Sequence, residues 1–258
     1  MSLLALLDAD IFCFRCAASC EHVVVDMEHP DDKSLRGKEV LPVEIAYARV
    51  NTMLEDTLRE LGTDKYQLFL TCHEANFRRS VSKEYKANRT TPKPLHLPAL
   101  EEFVIKEWGA VIAVGQEADD ALGIAQMVHW EDEKEQSVIV SIDKDLLQIP
   151  GSHYNFVKSE FTEVSEEEGM FSFYIQLLMG DSTDNVSGCP GIGPKKAEKA
   201  LRPFIGDEEG MYRAVVDKYT EAYPQLAEEE IEDIIITTGR LVWIRRKEGE
   251  LWLPPIIQ

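Results

Sequence analysis

Nine acidic residues recur in close groups along the chain: Asp8 and Asp10, then Glu117, Asp119 and Asp120, then Asp143 and Asp145, then Asp181 and Asp184. Gathered in one place without cations they would repel one another severely, and bound divalent metal is what makes such a gathering tolerable. A DxD at the end of a strand aims both carboxylates to one side, and a DxxD on a helical turn does the same. Oxygen-only donors select hard cations, magnesium or manganese. Two such ions about 3.5–4 Å apart activate water and stabilise the leaving oxygen of a phosphodiester. In a chain with 47 Asp and Glu residues any single pair is ordinarily a cap, a turn or a solvated face. Four groups at the ends of elements carry the signal together.

Two further stretches could meet a phosphate backbone. Arg78, Arg79, Lys83, Lys86, Arg89 and Lys93 crowd a short segment whose one acid is Glu84, and Tyr85 among them could stack on an exposed base. Gly188-Cys189-Pro190-Gly191-Ile192-Gly193-Pro194-Lys195-Lys196-Ala197 places a glycine hairpin ahead of a helix. Gly191 and Gly193 allow close backbone approach, exposed amides at the helix start bind phosphate oxygens, and Lys195, Lys196 and Lys199 add charge. Such a grip holds duplex DNA without reading its sequence.

The elements needed to position these groups are legible. Strand-like runs at Leu3–Leu7, Tyr66–Leu70, Val111–Val114 and Val138–Ile142 alternate with helical stretches at Val43–Leu61, Leu97–Trp108 and Ala118–Trp130. The pattern predicts an α/β fold with a central, mostly parallel sheet flanked by helices. Ligands in such sheets gather at the carboxyl ends of the strands, where the acids fall. Beyond Phe161 the pattern predicts helices only: Ser165–Met179 with a Ser165/Glu168 capping box, Pro194–Leu201, Glu208–Tyr219 and Ala227–Arg246. Arg79 to Leu97 is basic and proline-punctuated, and reads as a long excursion above the sheet, partly helical at best.

Of 258 residues, 44% are hydrophobic, which suits a sizeable core, while 27 Lys and Arg against 47 Asp and Glu leave a net charge of −20. That charge argues against a generally basic nucleic-acid coat, so an anionic ligand must be met by local patches or by metal. No run is long and apolar enough for a membrane helix and no signal peptide is evident. Cys13, Cys16 and Cys20 share a helical face and read as buried packing residues in a reduced, cytoplasmic protein; a zinc site recruiting His22 is the alternative, and it lacks a second ligand pair.

The motifs LLDAD, FRRSVSKEYKANR, EADDALG, SIDKDLLQIP and GDSTDNVSGCPGIGPKKAEKAL stand in the order found in the 5′-nuclease (flap endonuclease) superfamily. The chain most resembles its phage 5′→3′ exonucleases and the 5′-nuclease domains of bacterial DNA polymerases, from Leu3 to about Leu201. The resemblance implies a PIN-like 5′-nuclease core over residues 1–160 with a helical arch at about 78–98. It also implies a helical subdomain over 161–258, with a helix-hairpin-helix-like (helix-three-turn-helix) motif at about 180–203. It implies a monomeric two-metal-ion hydrolase acting on DNA with 5′ ends, nicks or flaps, in replication or repair, in the host cytoplasm if phage-encoded. Asp8, Glu117, Asp119 and Asp120 would surround one ion, and Asp143, Asp145, Asp181 and Asp184 the second. Lys86 and Arg89 would contact the scissile phosphate, Tyr85 would stack near the terminal nucleotide, and a potassium ion would sit on carbonyls near Ser187–Ile192.

One departure stands out. The family's aspartate after the second strand is replaced by Thr71-Cys72-His73-Glu74. Asp10 is the nearest substitute, because a strand extended through it would point Asp10 the way Asp8 points; His73 is the alternative.

The rival readings explain less. A haloacid-dehalogenase-like phosphatase would use LLDAD, FLT and GDSTDN, but it needs a strand before Gly180 and leaves EADD, DKD and YKANR without a role. A non-catalytic structure-specific DNA binder would not need an intact acidic set. A PIN-like ribonuclease would lack the arch and the glycine hairpin.

Overall fold

The computed structural model describes residues 3–24, 37–130 and 136–256. It begins with β1 (Leu3–Asp8) and α1 (Ala9–Ser19), then a hairpin of β2 (Glu21–Val24) and β3 (Gly37–Val40), then α2 (Val43–Leu61) and β4 (Lys65–Thr71). Next come α3 (Phe77–Val81), α4 (Leu97–Trp108), β5 (Val111–Ala113), α5 (Ala118–Trp130), β6 (Gln136–Val140), a 3₁₀ turn at Lys144–Gln148, β7 (Gly151–Asn155) and β8 (Glu160–Val164). The remainder is α6 (Glu166–Met179), the two-residue strands β9 (Gly180–Asp181) and β10 (Val186–Ser187), α7 (Pro194–Leu201), α8 (Glu208–Ala222) and α9 (Glu228–Val242).

Six strands form one sheet in the order β5-β4-β1-β6-β7-β8. β1 lies parallel between β4 and β6, β5 and β7 continue the parallel pairing outward, and β8 returns antiparallel on β7. The chain leaves β1 toward β4 and leaves β6 toward β7, on opposite sides. A crevice therefore opens at the carboxyl ends of β1 and β6.

The period-two pattern of β1 explains its central position. Ala5 and Leu7 face one core with Phe12, Leu54 and Leu100, while Leu4 and Leu6 face a second core with Leu122, Ile139 and Leu146. Each such side chain taken wholly out of water contributes about 1.5–3 kcal/mol, so the strand is fixed in register from both faces. Cys13, Cys16 and Cys20 are all buried against the first core. Burial raises the Cys16 thiol to about 11, which suits packing residues.

The four expected strands and three expected sheet-domain helices are present with ends shifted by a residue or two. The expectation of helices only beyond Phe161 needs correction. β8 runs to Val164, and β9 pairs with β10 around the Asp181–Asp184 turn. β7, β8 and the β2–β3 hairpin are short; β7 buries Tyr154 in the first core, whereas β8 and the hairpin are largely exposed and are held by backbone pairing. The Ser165/Glu168 capping box is present, with Ser165 N donating to Glu168 Oε2 (2.9 Å) and Glu168 N to Ser165 Oγ (3.2 Å). The residues before Gly180 are helical, as the phosphatase reading does not allow. α9 ends at Val242, four residues short of the expectation, where Trp243 turns extended and buries its ring with Phe173 and Trp252.

Between α3 and α4, residues 82–96 carry only turns and bends, so the helical arch that the resemblance implies at about 78–98 is corrected to a turn-built segment with helix only at its two ends, as Pro92, Pro94 and the missing period suggest. Tyr85 from this segment packs into the core built by α6 to α9, beside Phe173 and Leu177. Among the described residues, no helix is long and apolar enough to cross a membrane.

Candidate active site

At the carboxyl ends of β1 and β6 the acidic groups meet. Glu117, Asp119, Asp145, Asp181 and Asp184 line one cleft of about 40 Å³ together with Tyr85, Arg78 and apolar residues of α9. Asp8 and Asp143 adjoin it through a chain of hydrogen bonds. Ser141 Oγ donates to Asp8 Oδ2 (2.8 Å), the Asp143 amide donates back to Ser141 Oγ (3.0 Å), and the Asp145 amide donates to Asp143 Oδ1 (2.9 Å). Asp8 also caps α1, accepting the Ile11 amide (3.3 Å). Backbone amides and a serine thus fix two of the carboxylates, Asp8 and Asp143, before any ligand arrives.

The electrostatics are those of a site short of cations. Burial, with the Asp10 and Asp143 charges behind it, pushes the Asp8 carboxyl up to about 7. Burial and then the charges of Asp8, Asp143 and Glu117 push Asp119 well above the usual carboxylate range. Burial followed by Asp143, Asp181 and Asp184 raises Asp145 to about 6. A hard divalent cation is what such an oxygen-only set fits. Among the described residues, no three histidine, cysteine or acidic side chains converge as they would around a bound ion.

Two cations of the Arg78–Lys93 stretch lie on this cluster. Lys86 Nζ forms an ion pair with Glu117 Oε1 and stands 3.3 Å from Asp184 Oδ2, and Arg89 pairs with Asp184 Oδ1. Burial pushes Glu117 up, but Arg78 and Lys86 outweigh it and hold the carboxyl below its usual range. The Tyr85 hydroxyl stands 2.9 Å from both Glu117 Oε2 and Asp184 Oδ2, with one proton to share between them. Its ring is 4% exposed, so the expected face for stacking on a base is covered by protein. Arg79 and Lys83 are exposed, as a phosphate contact requires.

Arg78 and Asp120 were expected on DNA and metal respectively, and the structure places both elsewhere. The Arg78 guanidinium is 2% exposed and grips Asp120 with both arms, at 2.6 and 2.9 Å, while donating to the carbonyls of Leu241 and Trp243. The amides of Glu117 and Arg245 also donate to Asp120, each at 3.1 Å. Four donors fill the Asp120 carboxylate, leaving it no lone pair for an ion. The pair ties the base of the basic segment, α5 and the chain beyond α9 into one knot, and holds Arg78 Nη1 3.7 Å from Glu117.

The departure after the second strand also resolves differently. β1 ends at Asp8, so Asp10 lies in the first turn of α1 and does not follow Asp8 at period two. Both Asp10 oxygens take the Thr71 amide at 3.2 Å, and its charge still bears on Asp8. His73 faces Glu101 at 3.1 Å instead of the cluster. Thr71 Oγ1 accepts the Ala118 amide (3.0 Å), so the first residue of that stretch orients the start of α5.

The glycine hairpin is built by a close approach. A Cβ on Gly188 would stand 2.3 Å from Gly180 N and 2.2 Å from Met179 C, so only glycine allows the neck that carries the Asp181–Asp184 turn. Several of its carbonyls, where potassium was expected, have donors: Lys196 Nζ reaches Gly191 O (2.8 Å) and Thr238 Oγ1 reaches Ser187 O (3.4 Å). Lys195, Lys196 and Lys199 are exposed around Gly191 and Gly193, and a hollow of about 340 Å³ lies between Lys195, Lys199 and Arg202.

Residues that the sequence reading did not single out complete the site. Asn76 caps α3 and donates Nδ2 to Glu117 Oε1 (2.9 Å), Ser141 links Asp8 to Asp143, and Asn185 donates to the Glu84 carbonyl of the basic segment (2.8 Å). Asn76 ahead of Phe77-Arg78 carries a capping signal in the sequence; Ser141 and Asn185 become legible only once the strand ends are placed.

Residues 3–174 match the family model described as 5′-3′ exonuclease, N-terminal resolvase-like domain. The 5′-3′ exonuclease of Buchnera aphidicola subsp. Schizaphis graminum is 31% identical over 188 residues, 67% of this chain and 64% of that protein. The flap endonuclease Xni of Shewanella sp. (strain ANA-3) is 34% identical over 143 residues, 51% of this chain and 55% of that protein. The chain thus spans less than two thirds of the length of these relatives. A bacteriophage T5 5′-exonuclease with bound divalent zinc superposes with a TM-score of 0.57 at 17% identity, over 93% of this chain and 89% of that one. A T5 flap endonuclease in complex with DNA and metal ions gives 0.57 at 16%, over 92% and 99%. The structural likeness establishes the fold, and with the family match over its sheet, the acids from Asp8 to Asp145 and part of α6, the chain belongs to the family of the 5′-3′ exonuclease N-terminal resolvase-like domain.

Proposed function

We propose that this protein is a structure-specific 5′-nuclease that hydrolyses DNA phosphodiesters at 5′ ends, nicks or flaps, as a 5′→3′ exonuclease, a flap endonuclease or both, in replication or repair. The observation that carries the reading is the acidic cleft. Carboxylates from three separated segments line it, their neighbours Asp8 and Asp143 are hydrogen-bonded beside it, and Lys86 and Arg89 stand at its mouth. The relatives bear the names 5′-3′ exonuclease and flap endonuclease, and the T5 structures carry metal ions and DNA.

Asp8, Glu117, Asp119, Asp143, Asp145, Asp181 and Asp184 would hold two magnesium or manganese ions, the latter pair on the β9–β10 turn. When bound, such ions activate water and stabilise the leaving oxygen. The chain supplies the rest. The Asp8 carboxylate is held by Ser141 and the Asp143 carboxylate by the Asp145 amide, so these two donors are oriented in advance. Lys86 and Arg89, now on Glu117 and Asp184, are placed to turn toward a phosphate and take its developing charge. Lys195, Lys196 and Lys199 with the Gly191–Gly193 backbone would hold the duplex beyond the cut, and a potassium ion at the hairpin would have to displace Lys196 from Gly191 O and Thr238 from Ser187 O. Asp120 and Arg78 have no part in metal or DNA contact, and hold the frame.

The reading is tested with a 5′-labelled flap and a 5′-labelled blunt duplex, incubated with magnesium and with a chelator. Magnesium-dependent release of labelled mononucleotides or of the labelled flap is the expected result. A label retained on full-length strands in every lane, or erosion from 3′ ends only, overturns it.

A further inference from the structure

The GDSTDN motif supplies two acids to the cleft, but its last residue has no role in that chemistry, and the structure gives it a contact across about a hundred residues of sequence. Asn185 Nδ2 donates to the Glu84 carbonyl (2.8 Å), in the basic segment that bears Lys86. Around this contact the two segments are stitched by one backbone bond and one further side-chain bond. The Lys86 amide donates to Asp184 O (2.8 Å), and Asn88 Nδ2 donates to Ser182 O (2.9 Å).

Two residues at this seam have left-handed backbones, Lys86 and Asn185, both at φ 58°. A lysine rarely adopts that conformation, and it persists only where surrounding contacts dictate it. Here the Asp184 carbonyl takes the Lys86 amide, and the Asn185 amide group takes the carbonyl two residues before. Asparagine is suited to the second position on both counts. It tolerates the left-handed backbone better than other side chains, and unlike aspartate it can donate to a carbonyl. Glycine would keep the backbone and lose the donor.

We propose that Asn185 is a positioning residue, which clasps the arch to the β9–β10 turn and so sets the left-handed turn that aims Lys86 into the acidic cleft. None of the clasping bonds uses the Lys86 ammonium. The amine can therefore pass from Glu117 and Asp184 to an incoming phosphate while its backbone stays docked. This proposal rests on the reading of Lys86 as the residue that meets the scissile phosphate.

The test compares Asn185→Gly and Lys86→Ala with the wild-type enzyme in single-turnover cleavage of the labelled flap, and follows trypsin nicking after Lys86 and Arg89 without DNA. Asn185→Gly is expected to fold normally, to keep duplex affinity and KM, to lose about tenfold to a hundredfold in kcat, and to be nicked several-fold faster. Asn185→Asp, which keeps the left-handed backbone without the donor, should behave the same way. Wild-type kcat and nicking in Asn185→Gly beside a crippled Lys86→Ala overturn the proposal alone. Wild-type cleavage by Lys86→Ala overturns the reading of Lys86. A rise in KM together with a fall in kcat and thermal stability of Asn185→Gly would mark general damage, and would also overturn a positioning role.

Discussion

Asp119 and Asp120 are neighbours in one motif and in one turn of α5, yet their surroundings are opposite. Asp120 is fully buried and accepts four hydrogen bonds, two of them from the Arg78 guanidinium, which also donates to the Leu241 and Trp243 carbonyls. Asp119 receives no donor among the described residues, and faces Asp8, Asp143 and Glu117. One carboxylate is satisfied by protein, and the other is left to be satisfied by something brought in. Identity and spacing alone do not separate a ligand from a lock. The count of donors already aimed at each oxygen does.

The comparison breaks most visibly if the two acids fail to part company on substitution. Asp119→Asn should lower cleavage by about a thousandfold, as expected for removing a group that serves the developing charge, and should raise the thermal midpoint of the metal-free protein because one repelling charge is gone. Steady-state kinetics and calorimetric melting in chelator read both effects. Asp120→Ala should do the reverse, destabilising the fold by about 3–5 kcal/mol through the stranded Arg78 charge. Urea unfolding measures it, and a variant as stable as wild type would show that the lock is not one.

Smaller effects sharpen the contrast between the cleft and the helical side. Lys195→Ala with Lys196→Ala should weaken duplex binding and reduce the slope of log affinity against log salt by roughly one unit per lysine, with the single-turnover rate at saturation nearly unchanged. Fluorescence anisotropy across a salt series checks this, and an unaltered slope removes these lysines from the interface. The smallest effect expected is at Asp10. Its charge bears on Asp8 but its oxygens are on the Thr71 amide, so Asp10→Ala should shift the magnesium midpoint of the rate by a few-fold at most, and His73→Ala less. A larger shift from His73→Ala would reverse that order.

Much of this was written in the sequence. The apolar runs ending in acids placed the strand ends, and glycines and prolines marked the hairpin and the long excursion. What the sequence did not show follows from physical causes. β8 and the β2–β3 hairpin have weak patterns because their stability comes from pairing with neighbouring strands. Arg78 looked like its basic neighbours because charge is visible in a sequence and burial is not. Asp10 was misjudged because the strand stops at Asp8, where the carboxylate turns to cap α1, and that ends the period-two rule on which the expectation stood.

The central claim is that donor-poor carboxylates hold the ions while the donor-rich Asp120 holds the frame. Anomalous diffraction from a crystal of the DNA-free protein soaked in manganese tests it most directly. The account predicts ion peaks bounded by Asp8, Asp119 and Asp143, with Lys86 displaced from Glu117 and Asp120 still bonded to Arg78. Peaks on Asp120 with Arg78 released, or no peak in the cleft at manganese concentrations that support cleavage, would contradict it.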